Sequence, residues 1–170
     1  NKVYRLSDLI YKLILFLCIY YLGFTFIAAS LDKIVDPNSF FINITDYQIT
    51  PLWMNNSVAI FLPWLELFCG LFLILSISKK FRKLKLLSPS NDLIMCMLIW
   101  FIIMLSIASF RGLDIDCGCG LAEKTTPLQR LLEDIVLLIT SFIIKFRHKI
   151  KFFLNNNIWT LNNIYFYLQF

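Results

Sequence analysis

The amino-acid sequence predicts an all-α integral membrane protein, built as a bundle of four spanning helices. Hydrophobic residues make up 59% of the chain and charged residues only 16%, whereas soluble proteins carry roughly 25% charged residues. Four apolar segments are long enough to cross a hydrocarbon core about 30 Å thick as helices. They cover residues 9–31, 58–77, 93–110 and 127–146, so we assign residues 1–151 to one four-span membrane domain.

The first segment is interpreted as a retained span. Lys2 and Arg5 precede it, and a basic start before an apolar run is also typical of a cleaved signal peptide. Its apolar run is longer than a signal core, and Ala28-Ala29-Ser30 is only a weak cleavage site. The connection that follows, residues 30–57, is the longest polar one, and its aromatic content predicts a loop that packs at the membrane surface.

The remaining spans differ in the polar residues they contain. The second span holds Glu66 and leads into the dense basic run 79–85. The third carries no charge. The fourth begins at Thr126-Pro127-Leu128-Gln129, which is typical of a capping box with proline in the first turn. The last stretch, residues 152–170, mixes asparagines with aromatics, and we expect a cytoplasmic or interfacial tail that forms a helix along the inner surface.

The distribution of Lys and Arg predicts the orientation of the bundle. Most of these residues lie at the N-terminal end, in the 79–85 connection and in residues 145–151. Because basic loops stay in the cytoplasm, both termini are expected on the cytoplasmic side of a bacterial inner membrane. The segment between the third and fourth spans then faces outward. The net charge of +5 reflects anchors beside lipid head groups, so membrane lipids are expected as partners and nucleic acid is not.

Cys117-Gly118-Cys119 in that outward segment is the strongest chemical motif. Two cysteines separated by one residue close a disulfide only in a very small ring, and Gly118 supplies the backbone freedom that this ring demands. A bridge this short closes almost no chain and would stabilise the fold very little, whereas strained, exposed disulfides are easily reduced. We therefore favour a redox pair over a static bridge.

The local charges leave open which cysteine attacks. Arg111 favours a thiolate, while Asp114 and Asp116 oppose one. A metal site is not expected, because two thiolates form only half of a tetrahedral zinc shell and His148 belongs to the opposite membrane face. The single cysteines Cys18, Cys69 and Cys96 fall within spans and are expected to be small buried hydrophobes.

Charged residues inside the spans are the second group of candidates. Glu66 is expected roughly 13 Å into the second span, facing the bundle interior because an ionised group is costly in lipid. Arg130 and Asp134 lie four residues apart, on one face of the fourth span, near Glu133. Two interpretations of these charged residues remain open. They form an ion-pair network that fixes helix packing, or they form a proton route or polar pocket that serves the cysteines. Lys33 and Arg111 are expected to extend toward head groups.

Four short motifs occur in a characteristic order: Ser30-Leu31-Asp32-Lys33-Ile34-Val35-Asp36-Pro37, Tyr47-Gln48-Ile49-Thr50-Pro51, Leu62-Pro63-Trp64-Leu65-Glu66-Leu67, and the run from Arg111 to Gly120. With this spacing the chain resembles the methylamine utilisation protein MauE family, which belongs with the wider DoxX-like group of four-helix membrane proteins. The resemblance implies an inner-membrane protein that works beside a periplasmic thioredoxin-like partner in forming or maintaining the disulfides of methylamine dehydrogenase.

The resemblance also implies roles for individual residues. Cys117 and Cys119 take the cysteine positions of the family, and Glu66 takes the position of its second-span acid. The chain departs from the family pattern after the cysteines, where Gly120-Leu121 replaces the usual Phe-Gly.

From these observations the sequence predicts thiol–disulfide exchange, with electrons passed to a second thiol protein or to a membrane quinone. Two other function classes stay open. One is a non-enzymatic scaffold or a lipid- or small-molecule-binding module, and the other is a small proton-coupled transporter that uses Glu66 and Asp134.

Overall fold

The computed structural model describes residues 2–46, 51–111, 127–150 and 152, and this part of the chain is all-α, with no β-strand. The predicted fold class is therefore confirmed. Its helices are α1 (Lys2–Val35), α2 (Pro37–Asp46), α3 (Leu52–Leu75), α4 (Lys79–Arg82), α5 (Leu87–Phe110) and α6 (Pro127–Lys145). Apart from Phe152, the tail 152–170 lies outside the described residues, so the expected interfacial helix stays a prediction.

The four long helices α1, α3, α5 and α6 form an antiparallel bundle. α1 packs against α3, α3 against α5, α5 against α6, and α6 against α1, which closes the ring. Contacts between chain-distant residues fix the helix directions. Near one end the hydroxyl of Tyr11 in α1 donates to the backbone carbonyl of Arg147, just after α6, and Asn91 near the start of α5 bonds Ser141 near the end of α6. This is the up-down-up-down arrangement of a simple four-helix bundle.

The bundle has two chemically different ends. The first, which we call the basic end, contains the start of α1, the α4 connection and residues 145–150. The second, which we call the α2 end, contains α2, the last turn of α5 at Arg111 and the first turn of α6 at Pro127. Residues 112–126 join these last two points along the chain.

The outer surface of the bundle is apolar along the helices. Three segments are long and hydropathic enough to cross a membrane, namely Leu6–Val35, Trp53–Leu75 and Leu87–Phe110. α6 does not meet that criterion, because charged side chains lie in its first half. It nevertheless exposes large apolar side chains, such as Leu132, Val136 and Ile139, on its outer face. A surface of this kind suits a lipid environment, and that α6 also crosses the membrane remains a prediction.

α2 is a helix within the segment that the sequence indicated only as a polar connection. Asp36 caps it, since the backbone N–H of Ser39 donates to the Asp36 carboxylate at 3.1 Å, and Pro37 occupies the first turn, where its missing N–H costs nothing. The hydrogen bonds from Ser39 lower the pKa of Asp36, which keeps this cap ionised. Phe40 and Ile44 then bury themselves against α3. α2 therefore covers one end of the bundle.

The half of the bundle toward the basic end contains an apolar core cluster. Fully buried side chains from all four long helices meet there: Leu22, Leu73, Ile94, Leu98 and Ile144. Cys69 packs in the same cluster and Cys18 lies partly buried against it, as expected. The expectation for Cys96 was wrong, because this residue lies on the exposed face of α5.

A close approach of two glycines sets the spacing between α1 and α3. A Cβ added at Gly70 would lie 2.9 Å from the backbone oxygen of Gly23, and a Cβ added at Gly23 would lie 2.6 Å from Cγ1 of Ile74. Both distances are shorter than real carbon contacts. Small residues at such a crossing let helix backbones approach closely in a membrane, where van der Waals packing drives association.

A double-mutant cycle tests this crossing. Gly23→Ala and Gly70→Ala should each lower stability by about 1–3 kcal/mol through overpacking, measured by unfolding in detergent. Ile74→Ala removes the atom that Gly23→Ala meets first, so Gly23→Ala should cost less in that background. Gly70→Ala should cost the same in both backgrounds, because it meets backbone. Equal costs for Gly23→Ala in both backgrounds would contradict this packing.

Candidate functional site

The centre of the candidate site is a buried ion pair between α1 and α3. The Nζ atom of Lys33 donates to both carboxylate oxygens of Glu66, at 2.7 Å to Oε1 and 2.8 Å to Oε2. The two side chains are only 3% and 2% exposed. α3 begins at Leu52, earlier than predicted, so Glu66 lies about 21 Å along its helix, near the middle of the apolar Trp53–Leu75 segment.

Lys33 corrects the expectation that it extends toward lipid head groups. Helical side chains lean toward the N-terminus of their own helix. Lys33 lies in the last turn of α1 at the α2 end, so that direction leads into the bundle rather than out of it. Glu66 supplies the counter-charge that makes an inward-facing ammonium tolerable in this environment.

Two aromatic rings flank the ammonium group. The Nζ of Lys33 lies 5.1 Å from the ring centroid of Phe40 in α2 and 4.9 Å from that of Phe101 in α5. Both distances fall within cation–π range, and such contacts strengthen when water is excluded. One lysine therefore brings together groups from α1, α2, α3 and α5.

α6 adds three charged residues to the same region. Arg130, Glu133 and Asp134 all line the cavity that contains Lys33 and Glu66. Arg130 Nη1 lies 2.9 Å from Glu133 Oε2, and Arg130 is mostly buried while Glu133 is exposed. Arg130 and Asp134 thus share a helix face, as predicted from their spacing. Along α6, Arg130 forms an ion pair with Glu133.

The cavity has a volume of about 260 Å³ and lies in the half of the bundle nearer the α2 end. Its inner boundary is apolar, since Phe26, Leu98 and Leu137 line it and belong to the apolar core cluster. Tyr21 and Trp100 also line it, yet they are 51% and 42% exposed. The cavity therefore extends to the outer, lipid-facing surface at these residues, and the apolar core cluster bounds it toward the basic end.

The structure places only some of the predicted site residues together. Glu66, Arg130 and Asp134 line one cavity, and Arg111 is exposed at the end of α5. Cys117, Gly118 and Cys119 lie outside the described residues.

Sequence reasoning missed the contributions of Lys33, Phe40 and Phe101 to this site. The position of Lys33 could have indicated its role. It lies in the last turn of one spanning helix, and the next spanning helix carries the acidic residue Glu66 within the membrane. No comparable signal marks Phe101, because the third span is uniformly apolar.

Removing one member of the buried pair should destabilise the protein strongly. Lys33→Met leaves an uncompensated carboxylate in the bundle, and Glu66→Leu leaves an uncompensated ammonium. Breaking a buried pair in this way costs about 3–5 kcal/mol, whereas replacing both partners by apolar residues is often close to neutral. We expect each single variant to lower the unfolding midpoint in detergent and the Lys33→Met/Glu66→Leu double variant to recover most of the loss.

A matched control is the exposed pair between Asp8 and Lys12 on α1, whose charged atoms lie 2.6 Å apart. Lys12→Met should change stability by about 1 kcal/mol or less, because exposed ion pairs contribute little. Equal losses of stability in Lys33→Met and Lys12→Met would show that the Lys33–Glu66 pair contributes no more to stability than an exposed pair.

Comparison with known proteins gives one finding about family. The family model described as methylamine utilisation protein MauE matches residues 11–147, which is most of the chain. The match covers all four long helices and agrees with the resemblance carried by the sequence motifs. No curated protein and no solved structure matches significantly.

Proposed function

Given that the chain belongs to the methylamine utilisation protein MauE family, we propose that it is a thiol–disulfide exchange protein of the bacterial inner membrane. Cys117 and Cys119 are its reactive pair, and both termini are cytoplasmic. Its role is the formation or maintenance of disulfides in proteins outside the cytoplasm, within the methylamine utilisation that the family description names.

The observation that supports this proposal most directly is that the basic segments and the ends of the cysteine segment lie at opposite ends of the bundle. Arg111 and Pro127, the described residues that flank the cysteine segment, lie at the α2 end. The basic connection and the residues after α6 lie at the other end. Under the rule that basic segments stay in the cytoplasm, the cysteines belong to the outer side, where an oxidising compartment sustains disulfides.

The proposed chemistry is a pair of thiolate displacements. A thiolate of a reduced partner attacks one sulfur of the Cys117–Cys119 disulfide, which gives a mixed disulfide and frees the other cysteine. The second partner thiol then resolves the mixed disulfide, so the partner becomes oxidised and Cys117 and Cys119 become thiols. Two electrons and two protons have moved to the membrane protein, and the same steps run backward when the partner is the oxidant.

The proposed partner is a periplasmic protein with a thioredoxin-like fold. A partner of this kind presents its own cysteine pair on a protein surface, which suits a short Cys-Gly-Cys segment between two helix ends. The electrons leave through a second thiol protein or a membrane quinone.

The cavity favours small-molecule binding as a second candidate function. It contains a buried ion pair, flanking aromatic rings and an opening toward lipid, all independent of the cysteines. The transporter class has less support, because the apolar core cluster around Leu22, Leu73 and Ile94 lies between the cavity and the basic end.

Trapping the mixed disulfide tests the redox proposal. In cells, Cys117→Ser and Cys119→Ser each leave one cysteine of the pair, whose thiolate can attack a disulfide of the partner. In the variant that keeps the attacking cysteine, the neighbouring thiol that would release the partner is missing, so a covalent complex should accumulate. The complex should disappear on reduction, and its presence in only one variant identifies the attacking residue. Non-reducing electrophoresis followed by mass spectrometry measures both outcomes.

Cys96→Ser is the matched control, because Cys96 is an exposed single cysteine within α5. It should leave the redox state of the 117/119 pair unchanged. A pair that stays reduced and unreactive toward alkylating reagents under oxidising conditions would contradict the redox proposal.

A further inference from the structure

Asp134 differs from the other charged side chains of the cavity in its partners. The lining contains two basic side chains, Lys33 and Arg130, and three acidic ones, Glu66, Glu133 and Asp134. Lys33 donates to both carboxylate oxygens of Glu66, and the pair along α6 joins Arg130 to Glu133. Among the residues that the structure describes, none donates a hydrogen bond to Asp134 or lies within ion-pair distance of it. Both cations of the cavity are thus engaged, and one carboxylate is left over.

The groups that the packed helices bring toward Asp134 do not replace that missing partner. α2 and α5 line the cavity with apolar and aromatic side chains, so among their described residues no charge faces it. α1 contributes Lys33 and the phenol of Tyr21, and α3 contributes Glu66. The two basic side chains of the cavity attract the Asp134 carboxylate from beyond ion-pair distance, while the two other acidic ones repel it. These long-range effects partly cancel.

An ionised Asp134 would be costly in this position. Its side chain is partly buried, in a bundle whose outer surface is apolar. A carboxylate without a hydrogen-bonded counter-charge is expensive in such surroundings, and a bound proton removes that cost. With the proton in place, the two remaining carboxylates balance Lys33 and Arg130, and the cavity lining carries no net charge.

We propose that Asp134 is a proton-binding site, whose carboxyl group is neutral in the folded protein. The site goes beyond thiol exchange and does not depend on Cys117 and Cys119. It also differs in role from Glu66, which Lys33 holds as a carboxylate.

Loss of the proton changes the partner of Arg130. Glu133 and Asp134 follow Arg130 by three and four residues, and both positions are neighbours on a helix surface. Glu133 is 56% exposed, whereas Asp134 is partly buried. Because ionic attraction increases away from water, an ionised Asp134 draws the guanidinium from Glu133 to itself. The cavity thereby has two arrangements of its charges, and the proton selects between them.

Labelling with dicyclohexylcarbodiimide tests the proton site directly, because this apolar reagent reacts with protonated carboxyl groups and not with carboxylates. It can reach the cavity from the bilayer at the half-exposed Tyr21 and Trp100. The purified full chain in lipid nanodiscs should be labelled at Asp134 at about pH 6, where an exposed aspartate is almost fully ionised. Labelling should fall as the pH rises further, and Glu66 should stay unlabelled. Mass spectrometry of proteolytic fragments locates the adduct.

The pH at which half of the labelling is lost tests the exchange of partners. Glu133→Gln releases Arg130 to Asp134, so this pH should fall by about one unit or more. In an Arg130→Gln background the same substitution should have a much smaller effect, because no guanidinium remains to change partners. Equal shifts in both backgrounds would contradict the exchange. Asp92→Asn is the matched control, since Asp92 pairs with Lys145 at the basic end, and it should leave this pH unchanged.

Asp134→Asn gives an independent measurement through stability. The amide matches a protonated carboxyl group in shape and charge, so the variant should fold, lose the labelling and equal the wild type in unfolding midpoint below about pH 4. As the pH rises from there, the unfolded chain ionises Asp134 before the folded protein does, so the wild type should lose stability relative to the variant. A variant that is less stable than the wild type at neutral pH would overturn the proposal, because Asp134 would then be an ionised partner in the folded protein.

Two further outcomes would overturn the proton site. One is labelling of Glu66 in place of Asp134. The other is protection of Asp134 by sodium chloride but not by choline chloride at constant pH, because the cavity would then hold a metal cation. A Cys117→Ser/Cys119→Ser variant separates this proposal from thiol exchange. Labelling of Asp134 that depends on pH in that variant supports the proton site even where no mixed disulfide is ever trapped. Conversely, a trapped mixed disulfide together with an Asp134→Asn variant that is destabilised at neutral pH supports thiol exchange and overturns the proton site.

Discussion

The buried ion pair between Lys33 and Glu66 is the constraint on which the α2 end of the bundle depends. Neither charge can be left alone in a medium that excludes water, so the pair fixes how far α1 and α3 slide past each other. The glycine contact at Gly23 and Gly70 sets how closely the same two helices approach. Phe40 and Phe101 then place α2 and α5 beside the ammonium. Charge pairing and close packing together define the cavity.

The molecule separates its chemistry between two ends. The basic end holds the residues that anchor and orient the chain, and its helices are joined by the hydrogen bonds between Asn91 and Ser141 and by the ion pair between Asp92 and Lys145. The α2 end holds the charged cavity and the helix ends that flank the Cys117 and Cys119 segment. The apolar core cluster adjoins the cavity on the side toward the basic end. Under the proposed orientation, redox exchange and ligand binding both take place at the α2 end, and the basic end contributes to membrane insertion and stability.

Much of the fold could be predicted from hydropathy, because lipid exposure demands long apolar helices whatever the details of packing. The inward position of Glu66 also followed from the cost of charge in lipid. The sequence did not identify Lys33 as the partner of Glu66. A lysine at a helix end can equally well extend to a lipid head group, and only the direction of its side chain in the structure decides between the two. The α2 helix was missed because its short apolar face appears only when Asp36 and Pro37 are read as a helix start.

The most direct test of the redox proposal determines on which side of the membrane the cysteine pair reacts. Cys18, Cys69 and Cys96 are replaced by Ala, so that the 117/119 pair supplies the remaining thiols. Intact cells are then treated with a membrane-impermeant maleimide before and after mild reduction. Labelling from outside is expected, and it should appear only after reduction. Labelling that requires access from the cytoplasm, or that is complete without reduction, would contradict the redox proposal.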